Sequence, residues 1–322
     1  MMRYEEFIEK IKNEVEKKLD IGCHLKILRM RKNNGIMLDG LSLVESRKGV
    51  VEELIPVVYL NAYYVQMEGG MTLDEVVEDI LESLKTVSSE DILWEENLNC
   101  YEHIQDKIVF RIINAELNKE LLKNTPHIKF LDLAIVFYLY LYGTKGGQLT
   151  AMIHDNHINA WNCSVEDLWK AARVNTPKIL PVKTEHMESV MKEIIEENLG
   201  EDFDQEEVAA LLGADEKNGL EILTNQNEVY GAGCMLYENV LRNYANFVNS
   251  DLVILPSSVH EVLLFPDDGD VEYDDWRCMV TYINAEEVLP EEVLSNEVYR
   301  YIKETDQIVL APESEAGQHS SL

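Results

Sequence analysis

Positive charge is scarce in this chain: 28 of its 322 residues are Lys or Arg, against 60 Asp and Glu, for a formal net charge of −32. The shortage is uneven. Residues 181–322 hold 32 acidic and 7 basic residues, net −25; residues 1–180 hold the other 28 and 21. Affinity for DNA or RNA comes from Lys and Arg displacing the counterions around phosphates, and docking on anionic lipid needs the same cations. Direct nucleic-acid binding and membrane association are therefore excluded. Basic or neutral proteins, metal cations and neutral small molecules stay open as partners. Such charge also serves solubility with no partner at all.

Cysteine is sparse as well. Cys23, Cys100, Cys163, Cys234 and Cys278 lie far apart, with no C-x-x-C pair. An odd, dispersed set gives neither a disulfide framework nor a thiolate zinc site, and reduced thiols point to the cytoplasm. Long apolar runs are missing too. The longest, Phe130–Tyr142, is interrupted by Asp132, and it falls short of the about 20 residues a helix needs to span hydrocarbon. Met1–Leu19 is charged throughout, without the apolar region of a secretory signal. With 46% hydrophobic residues the chain buries a sizeable core, so wholesale disorder is excluded.

What is present reads as mixed α and β. Phe7, Ile8, Ile11, Val15 and Leu19 line one face of a helix over Tyr4–Leu19. His24–Met30 and Ile36–Val44 are strands, and Asn34-Gly35 between them signals a hairpin because both residues tolerate positive φ. Pro56–Leu60 reads as a further strand. Thr72 and Glu75 form a capping box for a helix over Leu73–Thr86, with Val76, Val77, Ile80, Leu81 and Leu84 as its buried stripe.

Lys107–Ile113 is a strand, Ala115–Lys123 a helix, and Phe130–Tyr142 a central strand buried on both faces, with Gln148–Ile153 pairing to it. Ser164 and Asp167 open a helix over Val165–Arg173, and Pro177 and Pro181 then punctuate the chain. Glu185–Leu199 and Gln205–Leu212 read as acidic surface helices. Beyond them the pattern predicts a hairpin of Leu220–Leu223 with Val229–Cys234 and a helix over Met235–Val248. Strands at Leu252–Leu255 and Val259–Phe265, a helix at Asp274–Ile283, and a hairpin of Val298–Ile302 with Ile308–Ala311 complete the order. This predicts an α+β protein of antiparallel, hairpin-rich sheets with packed helices. Two domains are expected: 1–180, then an acidic helical connector at 181–213, then 214–312, with a disordered tail at 313–322.

Five phrases look familiar together: Asn34-Gly35-Ile36-Met37-Leu38-Asp39-Gly40, Phe130-Leu131-Asp132-Leu133-Ala134-Ile135-Val136, Asn175-Thr176-Pro177, Leu223-Thr224-Asn225 followed by Tyr230-Gly231-Ala232, and Ile254-Leu255-Pro256-Ser257-Ser258-Val259-His260-Glu261-Val262. They resemble an uncharacterised family, a domain of unknown function from gut anaerobic bacteria, to about residue 310. The resemblance implies a cytosolic bacterial protein of α+β build and transfers no activity, cofactor or catalytic residue.

Among chemical groups, Ser258, His260 and Glu261 stand at a strand–turn–strand corner, where a hydroxyl, an imidazole and a carboxylate suggest nucleophilic catalysis. No G-x-S-x-G elbow accompanies them, and serines capping a turn give the same residues. His154 and His157, spaced i, i+3, share a helix face that suits metal ligation; a helix cap explains them as well. The carboxylates Asp267, Asp268, Asp270, Glu272, Asp274 and Asp275 do not follow the calcium-loop order. Gly231-Ala232-Gly233 lacks the rest of a phosphate-binding turn, so close backbone packing accounts for it. Trp161, Trp169, Tyr138, Tyr140 and Tyr142 are read as core or cross-strand aromatics rather than a pocket lining.

No cofactor is expected. The function expected is a non-catalytic cytosolic interaction or regulatory protein whose acidic C-terminal half meets a basic or neutral partner. The alternatives are a hydrolase-like or metal-dependent enzyme built on Ser258, His260 and Glu261 or on His154 and His157, and a nucleic-acid mimic.

Overall fold

The computed structural model describes residues 2–19, 24–44, 57–87, 100–144, 147–186, 220–256, 258–267, 269 and 272–313. Helices and antiparallel sheets mix along it, the α+β class expected, and each strand pairing among the described residues is antiparallel. Internal contacts divide the chain into two units, Met1–Ile104 and Gln105–Leu322. Residue 180, the expected divide, lies within the second.

In the first unit α1 (Tyr4–Lys18) buries Phe7, Ile11 and Val15. β1 (His24–Arg31) and β2 (Met37–Val44) form the expected hairpin, and Asn34 (φ 57) and Gly35 (φ 73) both take the left-handed conformation that made them its signal. β3 (Val57–Tyr59) extends the sheet beside β2, and α2 (Leu60–Glu68), which the sequence reading did not foresee, follows directly. α3 (Leu73–Val87) opens on its capping box: the Thr72 N–H donates to Glu75 at 2.8 Å and the Glu75 N–H to the Thr72 hydroxyl at 3.3 Å. Its stripe of Val76, Val77, Ile80, Leu81 and Leu84 is buried in one core with Phe7, Ile11, Leu25, Leu41 and Leu60. Each large side chain so buried stabilises the unit by roughly 1.5–3 kcal/mol. α4 (Tyr101–Ile104) closes the unit.

The second unit carries two sheets. β4 (Ile108–Asn114) pairs with one edge of β6 (Leu133–Thr144), whose other edge takes β5 (His127–Phe130) and β7 (Gly147–Met152). The run expected as one strand over Phe130–Tyr142 is thus broken: Leu131, with φ 53, and Asp132 turn the chain back on itself. A short α5 (Lys119–Leu122) replaces the longer helix expected there. α6 (Asp155–Trp161) precedes α7 (Val165–Ile179), which starts on the Ser164–Asp167 box as expected but runs on through Pro177. A proline in the last turn forgoes one helical hydrogen bond and is tolerated there because little helix follows. Asn175 and Thr176 in that turn serve β4. The Asn175 amide donates to the Gln105 and Ile108 carbonyls at 2.7 and 3.2 Å, and the Thr176 hydroxyl accepts from the Phe110 N–H at 3.0 Å. Side chains of a helix thereby cover the backbone of an edge strand.

The second sheet comprises β8 (Val182–His186), β9 (Glu221–Asn225), β10 (Asp251–Leu255), β11 (Val262–Asp267), β12 (Tyr299–Ile302) and β13 (Gln307–Leu310), in the order β13-β12-β10-β11-β9-β8. The hairpin expected between Leu220–Leu223 and Val229–Cys234 does not form. β9 has both edges occupied, by β8 and β11, so residues 231–236 coil into a 3-10 turn packed on β9, β11 and β4. That turn also shortens the next helix, and α8 (Val240–Val248) begins after Asn239. β11 starts at Val262 rather than Val259, because the Val259 N–H goes to the Glu292 carbonyl and its own carbonyl accepts from Ala232. α9 (Tyr273–Glu286) packs on the face that carries Val253, Leu255, Leu263 and Phe265. Residues 185 and 186 of the expected helix Glu185–Leu199 lie in β8; the rest of it, the helix at Gln205–Leu212 and the tail beyond 313 lie outside the described residues. Among the described residues no helix is long and apolar enough to cross a membrane.

Candidate functional site

The corner between β10 and β11 places Ser258, His260 and Glu261 together without joining their reactive atoms. The Ser258 hydroxyl accepts from the His260 backbone N–H at 3.0 Å, not from the ring. The imidazole instead accepts from the Tyr230 N–H at Nδ1, 3.2 Å away, which leaves its proton on Nε2. Nε2 lies 3.3 Å from Glu292, not Glu261. A serine nucleophile needs its base within hydrogen-bond reach, and here the hydroxyl caps a turn.

Tyr230 connects this corner to a feature the sequence reading missed. Its ring packs on His260, centroids 5.5 Å apart, and on the Arg111 guanidinium at 3.8 Å. Arg111, buried in β4, lies against Tyr138 at 4.1 Å and donates to the Thr150 hydroxyl at 3.1 Å. A guanidinium stacked between two phenol rings gains a cation–π attraction from each. The available signal was an arginine inside Ile108-Val109-Phe110-Arg111-Ile112-Ile113, a run otherwise wholly apolar.

His154 and His157 cap α6. His157 Nδ1 accepts from the His154 N–H at 3.0 Å, and its ring stacks on Trp161 at 5.5 Å. His154 Nδ1 meets the Thr125 hydroxyl at 3.3 Å. The two rings stand 5.8 Å apart, and among the described residues no group of three or more His, Cys, Asp or Glu is placed to hold a metal ion. From the acidic loop, Asp267 is fixed by Arg300 Nε at 2.7 Å, the Tyr273 hydroxyl at 2.8 Å and the Gly269 N–H at 3.2 Å. Asp268 and Asp270 lie outside the described residues. Gly231 packs so closely under Thr224 and His260 that a Cβ would sit 2.1 Å from the Thr224 hydroxyl. The aromatics disperse: Trp169 packs edge-on against Phe110, and the Tyr140 hydroxyl accepts from Asn227 at 3.4 Å. Burial pushes the Cys234 thiol up to about 12, which removes it as a nucleophile at neutral pH.

The outer face of α9 differs from all of these. Its inner face is fixed: Trp276 packs on Phe265 at 4.8 Å, and Asn284 donates to the Ser295 carbonyl at 2.9 Å. Arg277 ties its first turns to Asp274, Glu297 and the Ala311 carbonyl. On the outside Met279, Tyr282 and Ile283 form an i, i+3, i+4 apolar spine, with Tyr282 67% exposed. Exposed Asp275, Glu286 and Glu287 bracket the spine. All three arginines in 181–322 are engaged by carboxylates of this unit: Arg242 by Asp306, Arg277 by Asp274 and Glu297, and Arg300 by Asp251 and Asp267. Asp275, Glu286 and Glu287 are the exposed charges closest in sequence to the spine, and they set the local field around it. The sequence reading found the helix and its charge but not that apolar residues occupy both of its faces.

No curated protein and no solved structure matches the chain. A family model described as a family of unknown function, DUF5688, matches residues 4–303, nearly the whole length. The chain belongs to that family of unknown function.

Proposed function

We propose that this protein is a non-catalytic cytoplasmic interaction module that receives a basic partner on the outer face of α9. One observation carries the reading: the exposed spine of Met279, Tyr282 and Ile283 stands between Asp275 and the Glu286–Glu287 pair. A large aromatic side chain left in water beside other apolar groups marks a contact surface, and the carboxylates around it select cations and steer their approach. The partner is a segment with apolar residues on one side and Lys or Arg flanking them. The cysteines among the described residues, Cys100, Cys163, Cys234 and Cys278, are free and dispersed, which supports a reducing compartment.

The test uses the full chain as bait and a Met279→Ala/Tyr282→Ala variant beside it, with pull-down at low and high salt and a synthetic Leu/Lys amphipathic peptide as defined probe. We expect capture of proteins with basic amphipathic segments, and of the probe, to fall at least tenfold in the variant and to weaken at high salt. Capture that ignores both changes, or tight binding of a polyanion, would sink the reading.

A further inference from the structure

We infer that the outer edge of β13, free among the described residues, together with the cleft beside it, accepts an extended peptide from another protein by strand addition. β13 ends the six-stranded sheet, with β12 on its inner side. The Ala311 N–H donates to the Val298 carbonyl at 2.8 Å, which fixes the ladder: Val309 and Gln307 exchange hydrogen bonds with Arg300 and Ile302, and Ile308 and Leu310 turn their N–H and C=O groups outward. Among the described residues nothing pairs with those outward groups. β13 bears none of the charges or prolines that usually blunt an edge, and Leu310 is 42% exposed.

An open cleft of about 540 Å³ lies on the side toward which the Ile308 side chain points, and Phe130, Met235, Leu236, Leu241 and Ile308 supply its apolar lining. Residues of an added strand that stand opposite Ile308 and Leu310 share their face of the sheet, so alternate side chains of the peptide enter this cleft. Its rim is mixed in charge. Glu238, Asp306 and Arg242 line it, Asp306 holds Arg242, and on the adjoining turn exposed Glu304 stands next to Lys303, which reaches Asn249. The Tyr301 hydroxyl also donates to Asp306, at 2.5 Å. Among the described residues Glu238 is the lining carboxylate left to meet a cation. The peptide that fits carries a bulky apolar residue for the cleft and Lys or Arg beside it. This site is separate from α9 and does not depend on the reading given for that helix.

The experiment pans the full chain against a library of random dodecapeptides and synthesises the enriched sequences. We expect apolar residues alternating with Lys or Arg. In the unaltered protein, a bound peptide should slow amide hydrogen exchange at Ile308 and Leu310 at least tenfold and leave Val309, already bonded, unchanged. Leu310→Pro removes an outward N–H that β12 does not use, so it should weaken binding at least tenfold, while Tyr282→Ala on α9 should not alter it. No enrichment, or peptides that bind without slowing those two amides, would overturn the inference. Protection appearing on α9 instead would also overturn it, while supporting the other docking face.

Discussion

A methyl group has nowhere to go at Gly231. It would meet the Thr224 hydroxyl at 2.1 Å, the His260 carbonyl at 2.5 Å and the Asn225 nitrogen at 2.6 Å, two of the three being backbone atoms. At Gly233 it would meet only the Phe110 ring, at 3.4 Å. Gly231→Ala should therefore destabilise the protein by about 3 kcal/mol, as overpacked cores do, and Gly233→Ala by less than about 1 kcal/mol. Urea unfolding of the two variants checks this; equal costs would show that the close approach at Gly231 carries no energy. The sequence told of close packing for this Gly-Ala-Gly stretch but not which glycine needed it, because the atoms that crowd Gly231 come from Thr224, Asn225 and, nearly thirty residues on, His260. Arg111 follows the same rule. Its place inside an apolar strand was visible, and its two aromatic neighbours were not, since Tyr138 arrives on the paired strand and Tyr230 on a left-handed turn.

Helix α9 shows how one element can be half legible. Its inner positions Tyr273, Trp276, Val280 and Asn284 recur at helical spacing, and its first turn is acidic, as the dipole favours. Nothing in that pattern says which side meets the sheet, because Met279, Tyr282 and Ile283 are apolar as well. The two faces make opposite predictions. Val280→Ala removes buried methyl groups and should cost about 2 kcal/mol. Tyr282→Ala should change stability by no more than about 0.5 kcal/mol. Thermal melts by circular dichroism compare them, and a large loss for Tyr282→Ala would mean that the outer face supports the fold rather than a partner. Elements with a local signature were legible almost to the residue: the Asn34-Gly35 hairpin, and the boxes at Thr72 and Ser164. Their determinants lie within four residues of one another.

For the molecule as a whole, partly buried phenols make stability fall at alkaline pH. Burial is the leading cause that pushes Tyr138, Tyr244 and Tyr273 up to about 12, against an ordinary tyrosine value of about 10. Between those values the unfolded chain releases protons that the native one keeps, so stability falls as pH rises. The contribution is intact below about pH 10 and is lost on the way to about 12. Urea midpoints near pH 8 and pH 11 should differ in that direction, and tyrosinate absorbance should lag in the folded protein. A midpoint that holds or rises would contradict the burial of these rings.

By itself the sequence determined the α+β class, the acidic field, the two helix starts marked by capping boxes at Thr72 and Ser164, the Asn-Gly turn and membership in a family, since each is written in composition or in residues a few places apart. Only the tertiary structure decided that β9 is filled on both edges and that His260 meets Glu292 instead of Ser258. It also decided that α9 turns Tyr282 to water and that β13 ends the sheet. Those outcomes rest on which distant segment reaches a given edge or face first, and a hydrogen bond or an apolar contact is equally satisfied by any partner that arrives in the right geometry.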